Sequence, residues 1–363
     1  MATEKPKSNS QSEQTKEGIT RITVGGFKSI DQEQSIEIRP LTILAGVNSS
    51  GKSSIMQPLL LLKQTLEAPY DPGALLLDGP NVRFTSANQL LSRMKNGKVT
   101  RTFHVGIEVG TEATVTNYFT YSEDKGFEVE QTTYESDKIK HRLYTGMPQE
   151  EILSALSASF ESNSRAFLGT ISLKSDVVLT RNRCFLTLAI KFEDGSTFAT
   201  PIHLEAIAGE YIRQIVHLPG LRGSPARTYP VTAVSSEFPG TFENYVASVI
   251  RQWQTDSNKD KLEKVNRDLT KLGLTGKVVA RPIDDTQVEL LVNRFLDNNE
   301  VGAEKMVSIA DVGLGLSRTL SVVVALHAIN HGQLLYVEEP DIYLHPRAQY
   351  TMAEVLALSL IHI

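Results

Sequence analysis

The densest chemistry in this sequence sits in eight residues, Gly46-Val47-Asn48-Ser49-Ser50-Gly51-Lys52-Ser53, which read G-x-x-x-x-G-K-S. Two glycines let a backbone curl so that successive N–H groups point inward at phosphate oxygens. Asn48, Ser49, Ser50 and Ser54 supply the remaining donors of such a cradle. The helix that follows adds the positive end of its dipole. Lys52 places a full charge on the β/γ-phosphates of a nucleoside triphosphate, where it also serves catalysis, and the Ser53 hydroxyl can ligate Mg²⁺. The competing reading is a glycine-rich turn that matches by chance.

A second cluster lies near the other end. Glu338 and Glu339 close the apolar run Leu334-Leu335-Tyr336-Val337 and are followed by Pro340. Adjacent glutamates usually belong to solvated surface. An apolar strand that stops at two carboxylates, beside a phosphate cradle, argues for chemistry instead. Glu338 would hold Mg²⁺ through water, and Glu339 would polarise the attacking water.

These residues need particular elements beneath them. A cradle of this kind requires a strand entering and a helix leaving. Leu41-Thr42-Ile43-Leu44-Ala45 predicts the strand, and residues 54–66 predict the helix, with Pro58 an early kink. Residues 19–24 and 34–38 alternate as an antiparallel pair. Residues 102–131 are strand-like, and 150–160 take a helical period. Strands are expected at 184–192 and 198–204, joined by Glu193-Asp194-Gly195, and a third at 211–218. Helices are expected at 241–253 and 259–272, strands at 277–281 and 287–293. Asp311 to Arg318 opens an apolar helix running to about 329, and 348–358 forms the last helix.

Taken together, the cradle, the helix start Gly313-Leu314-Gly315-Leu316-Ser317 and the run Val337-Glu338-Glu339-Pro340-Asp341-Ile342-Tyr343-Leu344-His345-Pro346 resemble the ATPase head of the ABC superfamily. The similarity is greatest to bacterial AAA family ATPases related to RecF and to OLD-type nuclease heads, some of which serve in phage defence. Phe27-Lys28-Ser29-Ile30 and His217-Leu218-Pro219-Gly220-Leu221-Arg222, with Tyr229 beyond, look like the same branch. The resemblance covers about residues 19–95 and 210–357.

It implies an α/β P-loop NTPase head with an antiparallel β subdomain and an inserted α/β lobe. It also implies ATP and Mg²⁺ as ligands, hydrolysis, and an ATP-bound homodimer in which Gly313, Gly315 and Ser317 approach the partner's γ-phosphate. DNA or a DNA-acting effector is the implied partner. The departures are Glu338 where the family carries Asp, and a signature stretch without Leu-Ser-Gly-Gly-Gln. That stretch could equally be a glycine loop capping a core helix. A different class of function stays open: a nucleotide-gated regulatory module that turns over little and controls a separate effector.

The expected organisation is a disordered tail over 1–18 and one ATPase domain over 19–363. That domain carries an insertion of β-rich and helical character at about 96–210. The family head continues past the final helix with another strand and a γ-phosphate histidine, so the sequence reads as cut short and is expected to bind ATP but hydrolyse it poorly.

Other constellations carry less. His327 and His331 have helical spacing, but Ala328 stands where a zinc protease needs Glu. Asn258-Lys259-Asp260-Lys261 lacks the Asp that reads guanine. Arg222 and Arg227 near Tyr229 could meet phosphate or DNA, or order a loop. Phe27 and Lys28 could flank the adenine, or be a core aromatic with a snorkelling lysine.

The bulk numbers set the frame. A length of 363 residues with 40% hydrophobic content can bury a substantial core. A net charge of −5 gives no global pull towards nucleic acid. One cysteine, Cys184, precludes an internal disulfide and suits a reducing cytoplasm. No apolar run approaches the ~18 residues of a membrane span.

Overall fold

The computed structural model describes residues 18–94, 97–110, 113–137, 140–159, 175–192, 194, 196–200, 203–255, 259–293 and 306–359. The expected tail at 1–17 and Asn258 lie outside them.

The first half is built on one antiparallel sheet. Strands β1 (Ile19–Gly25) and β2 (Gln34–Glu37) form the expected pair. β1 then pairs with β3 (Thr102–Val109), which continues as a meander through β4 (Ala113–Ser122), β5 (Gly126–Glu135) and β6 (Lys140–Tyr144). Alternation drives this sheet: Phe103, Val105, Ile107 and Val109 of β3 all face inward. The aromatic centre of the core joins Phe27, Phe103 and Phe119, with Phe27 to Phe103 at 5.4 Å edge-on and Phe103 to Phe119 stacked at 5.0 Å.

Against this core lies α1 (Lys52–Glu67), which is buried along nearly its whole length from Ser54 to Thr65. Pro58 sits inside it, and the helix runs through without a break. The surrounding packing offsets the missing hydrogen bond. Further on come α2 (Gln149–Ser159), the three-stranded sheet β7 (Ser175–Asn182), β8 (Phe185–Phe192) and β9 (Thr197–Thr200), and then α3 (His203–Arg213).

The second half has its own core. β10 (Val216–Leu218) pairs in parallel with β15 (Leu335–Val337). Between them in sequence lie β11 (Tyr229–Pro230), α4 (Val246–Thr255), α5 (Lys259–Lys271), β12 (Val278–Pro282), β13 (Gln287–Asn293), β14 (Met306–Ser308) and α6 (Leu314–Ala328). β11 to β14 form a third antiparallel sheet around β13. α6 is apolar nearly all round and runs through the middle of this core, and α7 (Pro346–Ser359) packs on it.

Three expected strands fail in whole or in part. The one at 198–204 ends at Thr200, and His203 and Leu204 already belong to α3. Residues 41–45 do not form a strand. Leu41 and Ile43 are 43% and 76% exposed, and only Leu44 leans on the first core. A strand needs a neighbour to take its N–H and C=O groups, and among the described residues no strand lies alongside. The stretch 211–218 is also not one strand. Tyr211 to Arg213 finish α3, where Ala208 and Ile212 bury one helical face, and only Val216–Leu218 is extended. The apolar residues here satisfy both periods, and the core selects the helical one for the first part.

Lys63 joins the two halves. Its side chain is 0% exposed, and its ammonium donates to Glu67, to the Arg213 carbonyl at 2.9 Å and to the Phe238 carbonyl at 3.2 Å. Glu67 in turn accepts from Gly240 N–H at 3.0 Å. Burial lowers the Lys63 pKa and raises that of Glu67, each partly offset by the other's charge. Removing one partner leaves a buried charge uncompensated, at a cost of about 3–5 kcal/mol. Lys63→Ala is therefore expected to move the urea unfolding midpoint down by that amount, with Lys63→Met/Glu67→Met recovering most of it. An unchanged midpoint in Lys63→Ala would show that the pair does not hold the halves together.

Candidate functional site

The glycine-rich loop takes the shape its residue types require. Gly46 and Gly51 have φ of 156° and 93°, and Ser49 is left-handed at 65°. A Cβ on Gly46 would lie 2.8 Å from Ser50 Oγ, and one on Gly51 2.8 Å from Ser29 Oγ. Both positions thus exclude side chains on space as well as conformation. Gly51 is the N-cap of α1, and no side chain caps this helix. Its first N–H groups keep their capacity for an anion. The Lys52 ammonium donates to the Gly46 and Val47 carbonyls at 2.7 and 2.8 Å, folded back over its own loop. Ser29 Oγ donates to Ser54 Oγ at 3.3 Å, which ties the segment after β1 to the start of α1.

The carboxylates stand at the end of β15. The parallel ladder continues one step past the strand, with Glu338 N–H donating to the Leu218 carbonyl at 3.0 Å. Gly220 N–H donates to Glu338 Oε2 at 3.0 Å. The Tyr336 hydroxyl donates to Glu338 Oε1 at 3.1 Å. Burial, followed by the Glu338 charge, raises the Tyr336 pKa and keeps the phenol protonated, with the nearby Ser53 side chain lowering it slightly. The two candidate metal ligands, Ser53 and Glu338, thus both lie near one phenol.

Among the described residues no cluster of three or more His, Cys, Asp or Glu could cage a metal. One hydroxyl and one carboxylate form the sparse oxygen set that suits Mg²⁺, an ion that keeps water and takes further ligands from phosphate. The approach of these two groups to the same phenol fits that ion. Ser53 and Glu338 would hold it, and it would supply charge to the phosphate oxygens.

Glu339 is exposed and left-handed, with φ 47°. For a residue with a Cβ this costs about 1–3 kcal/mol. Arg222, 4% exposed, donates through Nη2 to the Glu339 carbonyl at 2.9 Å and through Nη1 to the Glu338 carbonyl at 3.4 Å. It is buried beneath the carboxylates and so is not an exposed contact for phosphate or DNA. Arg227 pairs with Asp311 at 2.7 Å on the surface.

Gly313, Gly315 and Ser317 sit at the start of α6, with Gly313 as its N-cap. A Cβ on Gly315 would lie 3.0 Å from the Tyr343 carbonyl, so this stretch packs on the loop after Glu339. No described hydrogen bond or ion pair joins these three residues to 46–54. Phe27 is fully buried in the first core and does not face a ligand. Lys28 covers the Phe84 ring at 4.8 Å and donates to Gln57 at 2.7 Å. His327 is bonded to Asp268 at 2.7 Å near the end of α6.

Two residues with no local signal complete the surroundings. His217 pairs across the parallel strands with Tyr336, and their rings stack at 5.5 Å. Its Nδ1 meets Asn81 Oδ1 at 3.1 Å, and its Nε2 lies 4.0 Å from Glu338 Oε1. Asn81 is placed by Gln64 of α1, whose amide bonds the Asn81 and Val82 N–H groups. Burial, then the Lys63 charge, pushes the His217 pKa down from 6.5 to about 4. The unfolded chain therefore takes up this proton at a pH where the folded chain does not. The contribution to stability is complete above about pH 6.5 and is lost as pH falls towards about 4, by about 3 kcal/mol. Urea midpoints of ligand-free protein between pH 7 and 4 are expected to show this slope, and His217→Gln to flatten it.

The family described as "AAA domain, putative AbiEii toxin, Type IV TA system" matches residues 41–360. No curated protein matches the chain. Among solved structures, the "SMC head domain from Thermotoga maritima" is similar at 10% identity and a TM-score of 0.39, covering 95% of this chain and 86% of that one. No helix among the described residues is long and apolar enough to cross a membrane.

Proposed function

Because the chain belongs to this family of AAA domains, we propose that residues 46–54 and Glu338 bind ATP with Mg²⁺ and that Glu339 drives its hydrolysis. The observation that supports this most is the placement of Tyr336, whose hydroxyl donates to Glu338 while Ser53 of the cradle, from the far end of the chain, lies close enough to lower its pKa. In this reading the N–H groups of 48–54 hold the triphosphate, and Lys52 leaves the Gly46 and Val47 carbonyls for the β/γ-phosphates. Glu338 stays oriented by Gly220 N–H and Tyr336, and Glu339 takes the proton of the attacking water.

Gly313, Gly315 and Ser317 then serve a second copy of the head, so that ATP closes a homodimer and hydrolysis opens it. The work done is on DNA or on a DNA-acting effector in a cytoplasmic setting, with maintenance or defence as its purpose; the family description, which names a toxin of a toxin–antitoxin system, is in keeping with defence. A regulatory module with little turnover is the rival. One observation favours it: the segment 41–45 beneath the cradle lacks sheet support, so the loop has less to hold it rigid.

Turnover separates the two. At saturating ATP and Mg²⁺ the wild type is expected to release phosphate slowly but measurably, and Glu339→Gln to lose about 10²-fold or more while still binding ATP. Equal, negligible turnover in both proteins would select the module instead.

A further inference from the structure

Glu339 cannot aim itself. It sits past the end of β15, is exposed, and has the left-handed backbone that side chains with a Cβ avoid. The turn after it is similar. Tyr343 is left-handed at φ 69°, and among the described residues the backbone bonds within 339–344 are Ile342 N–H to the Glu339 carbonyl at 3.3 Å and Leu344 N–H to the Asp341 carbonyl at 3.1 Å. Something outside must hold this shape.

Two arginines do so. Arg318 of α6 lies over the Tyr343 ring at 4.4 Å. Arg222 reaches the other end of the turn, and its two terminal nitrogens bond the consecutive carbonyls of Glu338 and Glu339. Glu243, half-buried, faces both guanidinium groups and balances their charge. The placement of Arg222 follows from the sheet. β10 and β15 are parallel, with Leu218 opposite Val337, so the chain leaving β10 runs beside the chain leaving β15. Gly220 there touches the carboxylates, and Arg222 is buried under their backbone.

We propose that Arg222 is a positioning residue for Glu339: by bonding the carbonyls of the two peptides that flank the Glu339 Cα, it fixes the direction in which the Glu339 carboxylate leaves the chain. The proposal deepens the hydrolytic reading above and rests on it for its catalytic consequence. Its conformational content stands without that reading. The planar fork delivers its two N–H groups at a fixed separation and direction, whereas an ammonium, which in Lys52 also reaches two consecutive carbonyls, rotates freely and sets no direction. The role belongs to the shape of the guanidinium rather than to its charge.

Arg222→Lys, which keeps the charge, and Arg222→Met, which keeps only the stem, test this in the full chain. Both are expected to lower turnover at saturating ATP about tenfold or more while ATP affinity by calorimetry stays within about twofold. Hydrogen exchange at the Ile342 amide, read by mass spectrometry or NMR on folded protein, is expected to quicken about tenfold in both, with α1 unchanged. Wild-type exchange at Ile342 in either folded variant would overturn the proposal. So would Lys restoring turnover that Met loses, since charge would then be the active property. If the wild type itself shows no turnover, the hydrolytic reading falls, and the exchange result alone decides whether Arg222 sets this turn.

Discussion

A single hydroxyl, that of Tyr336, lies where the two ends of the candidate site approach each other. It donates to Glu338, at the end of a short parallel strand, and Ser53, at the start of the first buried helix, is near enough to lower its pKa. Neither group could be held there by its own element. Ser53 is exposed at the first turn of α1, and Glu338 lies beyond a strand of three residues. The rest of the structure can be followed outward from this point. α1 is fixed along its length by burial, by Lys63 at its far end and by Gln64, whose amide places Asn81 and through it His217. His217 stacks on Tyr336 and so returns to the same hydroxyl. A closed circuit of short contacts thus links the phosphate cradle to the carboxylates across both cores.

The circuit explains where the molecule tolerates unfavourable states. Besides Lys28 and Arg183, left-handed residues with a Cβ fall in two places, the loop around Gly46 and Ser49 and the turn from Glu339 to Tyr343. Both border the candidate site, and the turn is braced from outside by Arg222 and Arg318, distant in sequence. Unpartnered buried polar atoms gather in the same region, among them His217 Nε2 and Arg222 Nε. Strain and unmet hydrogen bonds cost stability, and a fold keeps them where surrounding contacts over-determine the geometry. Their coincidence here agrees with a site built to receive polar ligands.

Much of this was legible in the sequence, and the limits have physical causes. The cradle at 46–53 is a local motif whose glycines and lysine are set by spacing alone. Glu338 was legible because an apolar run ends at it. The strands of the first sheet followed from alternation, and α6 from its glycine start and apolar length. Residues 41–45 misled because alternation measures only the readiness to pair, and pairing needs a neighbour. The end of α3 misled because its apolar residues fit both periods. Arg222, Tyr336 and His217 had no local signal of their role. Each acts through a partner more than a hundred residues away or across the parallel ladder, and pattern reading does not see such contacts. Gly313, Gly315 and Ser317 were read for a partner's phosphate, and a single chain brings Gly315 against the Tyr343 carbonyl and Ser317 to the Leu314 carbonyl.

The central claim is that the loop at 46–54 is a nucleoside triphosphate site whose one certain cation is Lys52. Calorimetric titration of the full chain with ATP and Mg²⁺, beside Lys52→Ala, tests it most directly. The account predicts saturable binding to the wild type and no measurable binding to the variant, with the variant's unfolding midpoint unchanged because Lys52 touches only its own loop. Equal affinity in the two proteins would contradict it.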